Sequence, residues 1–231
     1  MVGFAGGRSD WSFGVGAWGR QAAASILAAK SPQSPKSKNP RSVLLFFDTE
    51  TTGLPRDYRA PLTDGANWPR VVQLAWILFD CDGTEQASQC NLIRPEGWKV
   101  PPNMIHGISH AQAVADGRPL RAALAEFSAA AEQAHTLVAH NFEFDRAILG
   151  AEYVRLTQFD PIPARRAVCT MKTTANYCAI PAPNGRGYKW PKLGELHERV
   201  FNQRFEGAHD ALADVRATAR CYWALRRQGV I

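Results

Sequence analysis

From residue 43 onward, short and densely apolar runs give way to stretches in which apolar residues recur every three or four positions. Residues 43–47 form the first apolar run. Residues 71–79 are nearly continuous in apolar side chains and read as a central strand, with 90–94 as its neighbour across a turn at Asp82-Gly83. These three segments predict a meander. Leu120, Leu124, Phe127 and Ala131 then fall at helical spacing within 118–134. Residues 136–139 predict a strand, 142–155 a helix and 166–169 a last strand. Helix-like segments over 170–178 and 192–201 precede a long terminal helix over 208–228. Strands first, then helices and strands in alternation, imply an α/β fold with a mixed five-stranded sheet flanked by helices.

Polar residues interrupt this pattern at three places. Leu44-Leu45-Phe46-Phe47 runs straight into Asp48-Thr49-Glu50. Side chains alternate along a strand, so Asp48 and Glu50 face the same way. They repel unless a cation lies between them, and hard divalent ions take such oxygen ligands. His140-Asn141-Phe142-Glu143-Phe144-Asp145 follows the fourth apolar run, and His209-Asp210-Ala211-Leu212-Ala213-Asp214 opens the terminal helix. Taken singly, each acid has an ordinary reading as a turn or helix-surface residue. Taken together, with Phe46, Phe47, Phe142, Phe144 and Leu212 around them, four unpaired acids are expensive to hold without a metal. The histidine constrains the geometry further. Five residues on a continuous helix rotate by about 140°, so His209 and Asp214 converge only if His209 lies at the helix entrance, after the break at Gly207.

These three blocks, in this order, resemble the DEDDh branch of the DnaQ-like 3′-to-5′ exonucleases, a group that includes polymerase proofreading subunits, RNase T and oligoribonuclease. The resemblance runs from about residue 43 to the C-terminus. It implies an RNase H-like sheet and two divalent ions, Mg²⁺ with Mn²⁺ able to substitute, held by Asp48, Glu50, Asp145 and Asp214. Two such ions stabilise both the attacking and the leaving oxygen of a phosphodiester. His209 is then the general base, a role suited to a side chain that titrates near neutrality. By the same resemblance Thr51, Thr52 and Gly53 bring backbone to the terminal nucleotide, and Leu54 wedges against its base. Ile105 and His106 line the nucleotide pocket, with a purely structural role as the alternative for His106, and Asn141 and Phe144 hold backbone and sugar. The segment Arg186-Gly187-Tyr188-Lys189-Trp190-Pro191-Lys192 interleaves bases and aromatics as single-strand binders do, and as packed loops also do.

The activity so implied is hydrolysis from the 3′ end of single-stranded or frayed DNA, releasing nucleoside monophosphates. Alternatives are an exoribonuclease of the RNase T or oligoribonuclease kind and a catalytically quiet nucleic-acid-binding module on the same fold. Partners are single-stranded DNA or RNA 3′ ends and, for a proofreading role, a DNA polymerase subunit.

Charge adds little to this choice. The chain of 231 residues has a formal net charge of +6, but residues 1–42 hold six basic residues against one acid, leaving 21 basic and 20 acidic residues in the rest. Residues 1–41 are expected to be a disordered leader and linker, with a short helix over 17–30 and a Ser-, Pro- and Lys-rich stretch over 31–38; residues 42–231 are expected to form the exonuclease domain. Five cysteines form no C-x-x-C pair and are odd in number, which disfavours a zinc site and a disulfide framework. A cytoplasmic location follows most simply, or an organelle matrix if residues 1–41 are a transit peptide. No run of 18 apolar residues is present, so no membrane association is expected.

Overall fold

The computed structural model describes residues 43–231; the expectations for residues 1–41 lie outside the described residues. Five strands form one sheet: β1 (Leu44–Thr51), β2 (Val71–Phe79), β3 (Glu85–Leu92), β4 (Thr136–Ala139) and β5 (Arg166–Cys169), in spatial order β3-β2-β1-β4-β5. β1 is central. It runs antiparallel to β2 and parallel to β4, which is parallel to β5. Helices α1 (His110–Asp116), α2 (Leu120–Gln133), α3 (Phe142–Thr157), α4 (Thr170–Thr173), α5 (Ala175–Cys178), α6 (Leu193–Phe201) and α7 (Ala211–Arg227) complete the described chain. Among the described residues no helix is long and apolar enough to cross a membrane.

β1 is apolar throughout its first half because both of its faces are covered. Leu45 and Phe47 pack with Leu124 and Phe127 of α2 and with Ile148 and Leu149 of α3. Leu44 and Phe46 pack on the opposite face with Val215, Ala219 and Tyr222 of α7. Phe46 meets Tyr222 edge-on at 5.2 Å and Phe47 meets Phe127 at 5.3 Å, pairs worth about 0.5–1.5 kcal/mol each beyond their burial. The mixed sheet expected from the sequence is therefore the observed one, and its central strand is clamped from both sides.

Four boundaries and one whole element differ from the sequence reading. β1 extends through Thr51, so the two carboxylates stand within the strand rather than after it. β3 covers Glu85–Leu92 instead of 90–94: it is an edge strand whose side chains are mostly exposed and polar, so no apolar run marked it. α1 was not anticipated, since only Ala113 of its seven residues is buried and no apolar stripe arises. Its start is capped by Ser109, whose side chain accepts from Gln112 N. The helix expected over 170–178 breaks at Thr174, where ψ is 7°, and the Thr174 hydroxyl donates to the Thr170 carbonyl at 2.6 Å. The terminal helix starts at Ala211 rather than 208, because Gly207 and His209 both have positive φ.

One buried ion pair ties the start of β2 to α3. The fully buried Glu152 carboxylate accepts from Arg70 Nε at 2.8 Å and from the Val71 amide at 3.0 Å, and Arg155 stands 3.2 Å away. Arg155 also donates to the carbonyls of Gly65 and Trp68. Removing the carboxylate strands two guanidinium groups and one amide. Glu152→Ala is therefore expected to lower the unfolding free energy by about 3–5 kcal/mol, read from urea denaturation. A loss below about 1 kcal/mol, the size of an exposed pair, would show that the arginines simply turn to solvent.

Candidate active site

The site forms where β1, α3 and α7 meet. On β1, Asp48 and Glu50 lie on the face that carries Leu44 and Phe46, toward α7. Thr49 points the other way, toward α3, and there it meets Asp145: the Asp145 Oδ1 accepts from the Thr49 amide at 3.0 Å and from its hydroxyl at 2.7 Å. Asp145 is 2% exposed. It stands in the first turn of α3, which the chain enters through Asn141 in the left-handed conformation. Asp214 stands in the first turn of α7. The chain before it turns through Gly207 and His209, at φ +80° and +73°, and the His209 amide donates to Asp214 Oδ2 at 3.3 Å. His209 thus lies at the helix entrance, off the helix proper. Ligand atoms of Glu50, His209 and Asp214 lie within 4.8 Å of one another.

The carboxyls resist ionisation because they are buried together. Burial is the largest influence on each, and the neighbouring acids push most of them the same way. Asp48 is raised well above its usual range by burial, then by Asp145, Asp214 and Glu50. Glu50 is pushed to about 8 by burial, with Asp214 and Asp145 adding to it. Asp145 reaches about 7 through burial, against the two hydrogen bonds from Thr49. Asp214 reaches about 6 through burial, held down by the His209 amide and ring. Asp214 Oδ1 is buried with no hydrogen-bond partner among the described residues. A buried carboxylate oxygen without a donor, beside three more carboxyls, fits a divalent cation and fits no protein group present.

The residues expected to contact substrate differ in exposure and in local contacts. Leu54 and Ile105 are 73% and 70% exposed. Around Gly53, at φ +148°, no atom lies within 4 Å of where a Cβ would stand. The Thr51 hydroxyl donates to the Gly53 carbonyl, and Thr52 pairs with the backbone of Arg70 through its amide and hydroxyl. These threonines shape the turn. His106 is half-buried, and burial, followed by the nearby His209, lowers its pKa against a hydrogen bond to the Thr51 backbone. Phe144 is half-buried with its ring 6.5 Å from Tyr58. Asn141 makes no side-chain cap to α3.

Three residues that the sequence reading did not single out hold the site in shape. Thr49 anchors Asp145. Gln73 stands opposite Glu50 in the β1–β2 register, and its side chain donates to Asp210 Oδ2 at 3.1 Å while accepting from the Ala211 amide at 2.9 Å. It thereby fixes the first turn of α7 to the sheet. A signal was present, since Gln73 is the one polar residue in the nine of β2. His140 is half-buried and held neutral, its pKa lowered to about 4 because its ring is shielded from water. Its Nε2 lies 3.0 Å from the Pro191 carbonyl, and its Nδ1 3.0 Å from the Thr170 hydroxyl.

A family model described as Exonuclease, RNase T type, matches residues 45–222. No curated protein sequence matches. Solved structures with a similar fold include Escherichia coli Exonuclease I in complex with a dT13 oligonucleotide, at 20% identity and a TM-score of 0.64 over 80% of this chain and 41% of that one. The zinc-bound form of the Escherichia coli Exonuclease I complex with single-stranded DNA gives 22% and 0.62 over 81% and 41%. Exonuclease I from Methylocaldum szegediense gives 20% and 0.62 over 81% and 41%. The chain spans about two fifths of the length of these structures, which share its RNase H-like fold.

The raised carboxyls make stability depend on pH and metal together. Between the ordinary carboxyl range and their folded values, these groups keep protons in the folded state that the unfolded chain has released, so their contribution falls as pH rises. His140 acts oppositely but only up to its ordinary value of 6.5. The clean window is therefore from 6.5 to about 8. In EDTA the melting temperature is expected to fall across that window, less steeply in Glu50→Gln, and Mg²⁺ should restore most at the upper end. A melting temperature that rises with pH there in EDTA contradicts the clustered-carboxyl account.

Proposed function

The chain belongs to the RNase T-type exonuclease family, and on that premise we propose that it is a divalent-metal-dependent 3′-to-5′ exonuclease that removes nucleoside monophosphates from single-stranded or frayed DNA. The observation that carries this reading is the gathering of Asp48, Glu50, Asp145 and Asp214 at the end of β1, raised above their ordinary ionisation range, with His209 beside Glu50 and Asp214. The bound oligonucleotides of the similar Exonuclease I structures support single-stranded DNA as the substrate.

Asp48, Glu50 and Asp214 would hold the ions, Mg²⁺ or Mn²⁺, with Asp145 completing the set. Bound there, the ions supply charge neutralisation at the phosphate and at both the attacking and departing oxygens. His209 accepts the proton of the attacking water. Its ring stands at the cluster because the chain turns through positive φ just before α7. Thr49 keeps the Asp145 carboxylate turned toward β1, and Gln73 keeps Asp214 and His209 at a fixed distance from Glu50. Leu54, three residues after Thr51, and Ile105, next to His106, are both exposed and would offer apolar surface to one terminal base. Since that surface receives a chain end, cleavage proceeds from a free 3′ hydroxyl.

Each of Asp48→Ala, Glu50→Ala, Asp145→Ala and Asp214→Ala is expected to abolish nearly all turnover while folding persists, because each change relieves repulsion rather than opening an apolar cavity. End-labelled single-stranded DNA, matched RNA and a circular single strand, assayed with Mg²⁺, Mn²⁺ or EDTA, test the reading together. Linear DNA should be shortened one nucleotide at a time in either metal and the circle spared. Circles cut as fast as linear strands would show an endonuclease, and faster cleavage of RNA would make the substrate RNA.

His209→Ala is expected to slow turnover by about 10²- to 10⁴-fold, the usual contribution of a positioned general base. Mn²⁺ affinity, measured by calorimetry, should persist. Affinity lost together with activity would make His209 a ligand instead.

A further inference from the structure

The segment leading to Lys192, in the wall of the cleft beside His209, carries a feature that the cluster chemistry does not use. Trp190 and Tyr188 are 57% and 50% exposed, yet the segment that bears them is firmly built. Pro181 and Tyr188 pair as an antiparallel bridge, the Lys189 amide donates to the Ile180 carbonyl at 2.9 Å, and the Ala182 amide donates to the Gly187 carbonyl at 3.1 Å. The Lys189 ammonium reaches both oxygens of Glu195 at 2.6 and 2.7 Å. The next residue after Trp190 is gripped from below: a carbonyl can only accept, so the neutral His140 donates its Nε2–H to the Pro191 carbonyl. An indole so held gains nothing for the core by being exposed.

Its position links it to the active site. His140 precedes Asn141 and the start of α3. The Lys172 ammonium lies 5.3 Å from the Trp190 ring centroid and 2.6 Å from Glu143 Oε1, in the same helical turn as Asp145. After Trp190 the chain passes directly into a cleft of about 580 Å³ whose walls include Lys192, Gly194, Phe205, His209 and Asp214. An exposed aromatic ring with ammonium groups at Lys172 and Lys192 is the combination that receives a base and its phosphate in sequence-tolerant single-strand binding.

We propose that Trp190 is a stacking platform for a base of the single-stranded substrate on the 5′ side of the scissile phosphate, with Lys192 facing the phosphate that joins it to the cleft. This rests on the exonuclease reading above. Lys172 occupies one side of the ring and keeps it oriented; the base takes the free side.

A cycle between indole and base tests it. The full chain and its Trp190→Leu and Trp190→Tyr variants are assayed on dT13 and on the same strand with abasic sites replacing the internal nucleotides nearest the 3′ end. Losing one base–aromatic stack should raise KM for dT13 by roughly 5- to 150-fold in Trp190→Leu. The abasic strand should cost the wild type a similar factor and cost Trp190→Leu little more, while Trp190→Tyr stays near wild type. Fully multiplicative losses, or an unchanged KM in Trp190→Leu, would overturn the platform. If no strand is hydrolysed in Mg²⁺ or Mn²⁺, the exonuclease reading itself has failed. The same cycle read as Kd, from the anisotropy of fluorescein-labelled strands in Ca²⁺, then decides the platform separately.

Discussion

Like charge confined at the end of β1 is the constraint on which the rest of this structure depends. Ionised oxygens of Glu50 and Asp214 within 4.8 Å of each other repel by more than about 3 kcal/mol at an effective dielectric near 20, and Asp48 and Asp145 add further pairs. Among the described residues, burial and the neighbouring acids raise these four groups, and the groups that hold Asp145 and Asp214 down are hydrogen bonds from Thr49 and backbone and the nearby His209, not a lysine or arginine. The protein therefore holds a charge deficit that protons fill in the free state and that a divalent cation can fill when bound. An arrangement serving stability alone would place a basic side chain there, as Arg70 and Arg155 are placed around Glu152.

The scaffold withstands this repulsion by fixing each acid to a different element. Asp48 and Glu50 belong to the central strand, which has neighbours on both edges and packed layers on both faces. Asp145 is turned by two hydrogen bonds from Thr49, so the residue between the two strand acids anchors the third. Asp214 is reached through Gln73, which sits across the sheet from Glu50 and grips the first turn of α7 by both ends of its amide. Positions in the cluster are thus set by the β1–β2 register, and a slip of one residue would turn Asp48 and Glu50 away from α7.

Much of this was legible in the sequence, and the part that was not has a common cause. The five-stranded mixed sheet followed from apolar runs because central strands must be apolar on both faces, and β2, β4 and β5 fall where those runs lie. The acids were visible because three acid-bearing blocks stand in one order at the ends of predicted elements, although each acid alone has an ordinary reading. Residues acting through a hydrogen bond leave a weaker mark, such as the single polar position of Gln73 in β2, or none. In the sequence Thr49 simply lies between two acids, Gln73 interrupts an apolar strand and His140 precedes Asn141, and none of these placements states what the side chain holds. β3 and α1 escaped for the complementary reason that an exposed edge strand and a helix with one buried residue have no periodic apolar signature. The exposure of Trp190 is likewise a tertiary fact, since the same aromatic–basic segment could as well have been packed.

Both helices that deliver an acid from outside the first strand begin just after a non-glycine residue in the left-handed conformation: Asn141 before α3, and His209 one residue before the α7 cap, Asp210. Such a backbone costs on the order of 1 kcal/mol or more for a residue with a Cβ. Asn and, at φ +73°, His209 belong to the few residue types enriched in this region, which lessens the cost without removing it. The strain has a geometric return. A sharp turn at the helix entrance lets the first turn, rather than the middle, of each helix face the end of β1. Asp145 and Asp214 then stand where the helix dipole favours negative charge, by about 0.3–1 kcal/mol each. The same turn separates His209 from the helical rotation that would carry it some 140° away from Asp214. A continuous α7 beginning two residues earlier would relax the backbone and disperse the cluster, so the strained entrance is the local feature that makes a base and a ligand five residues apart converge.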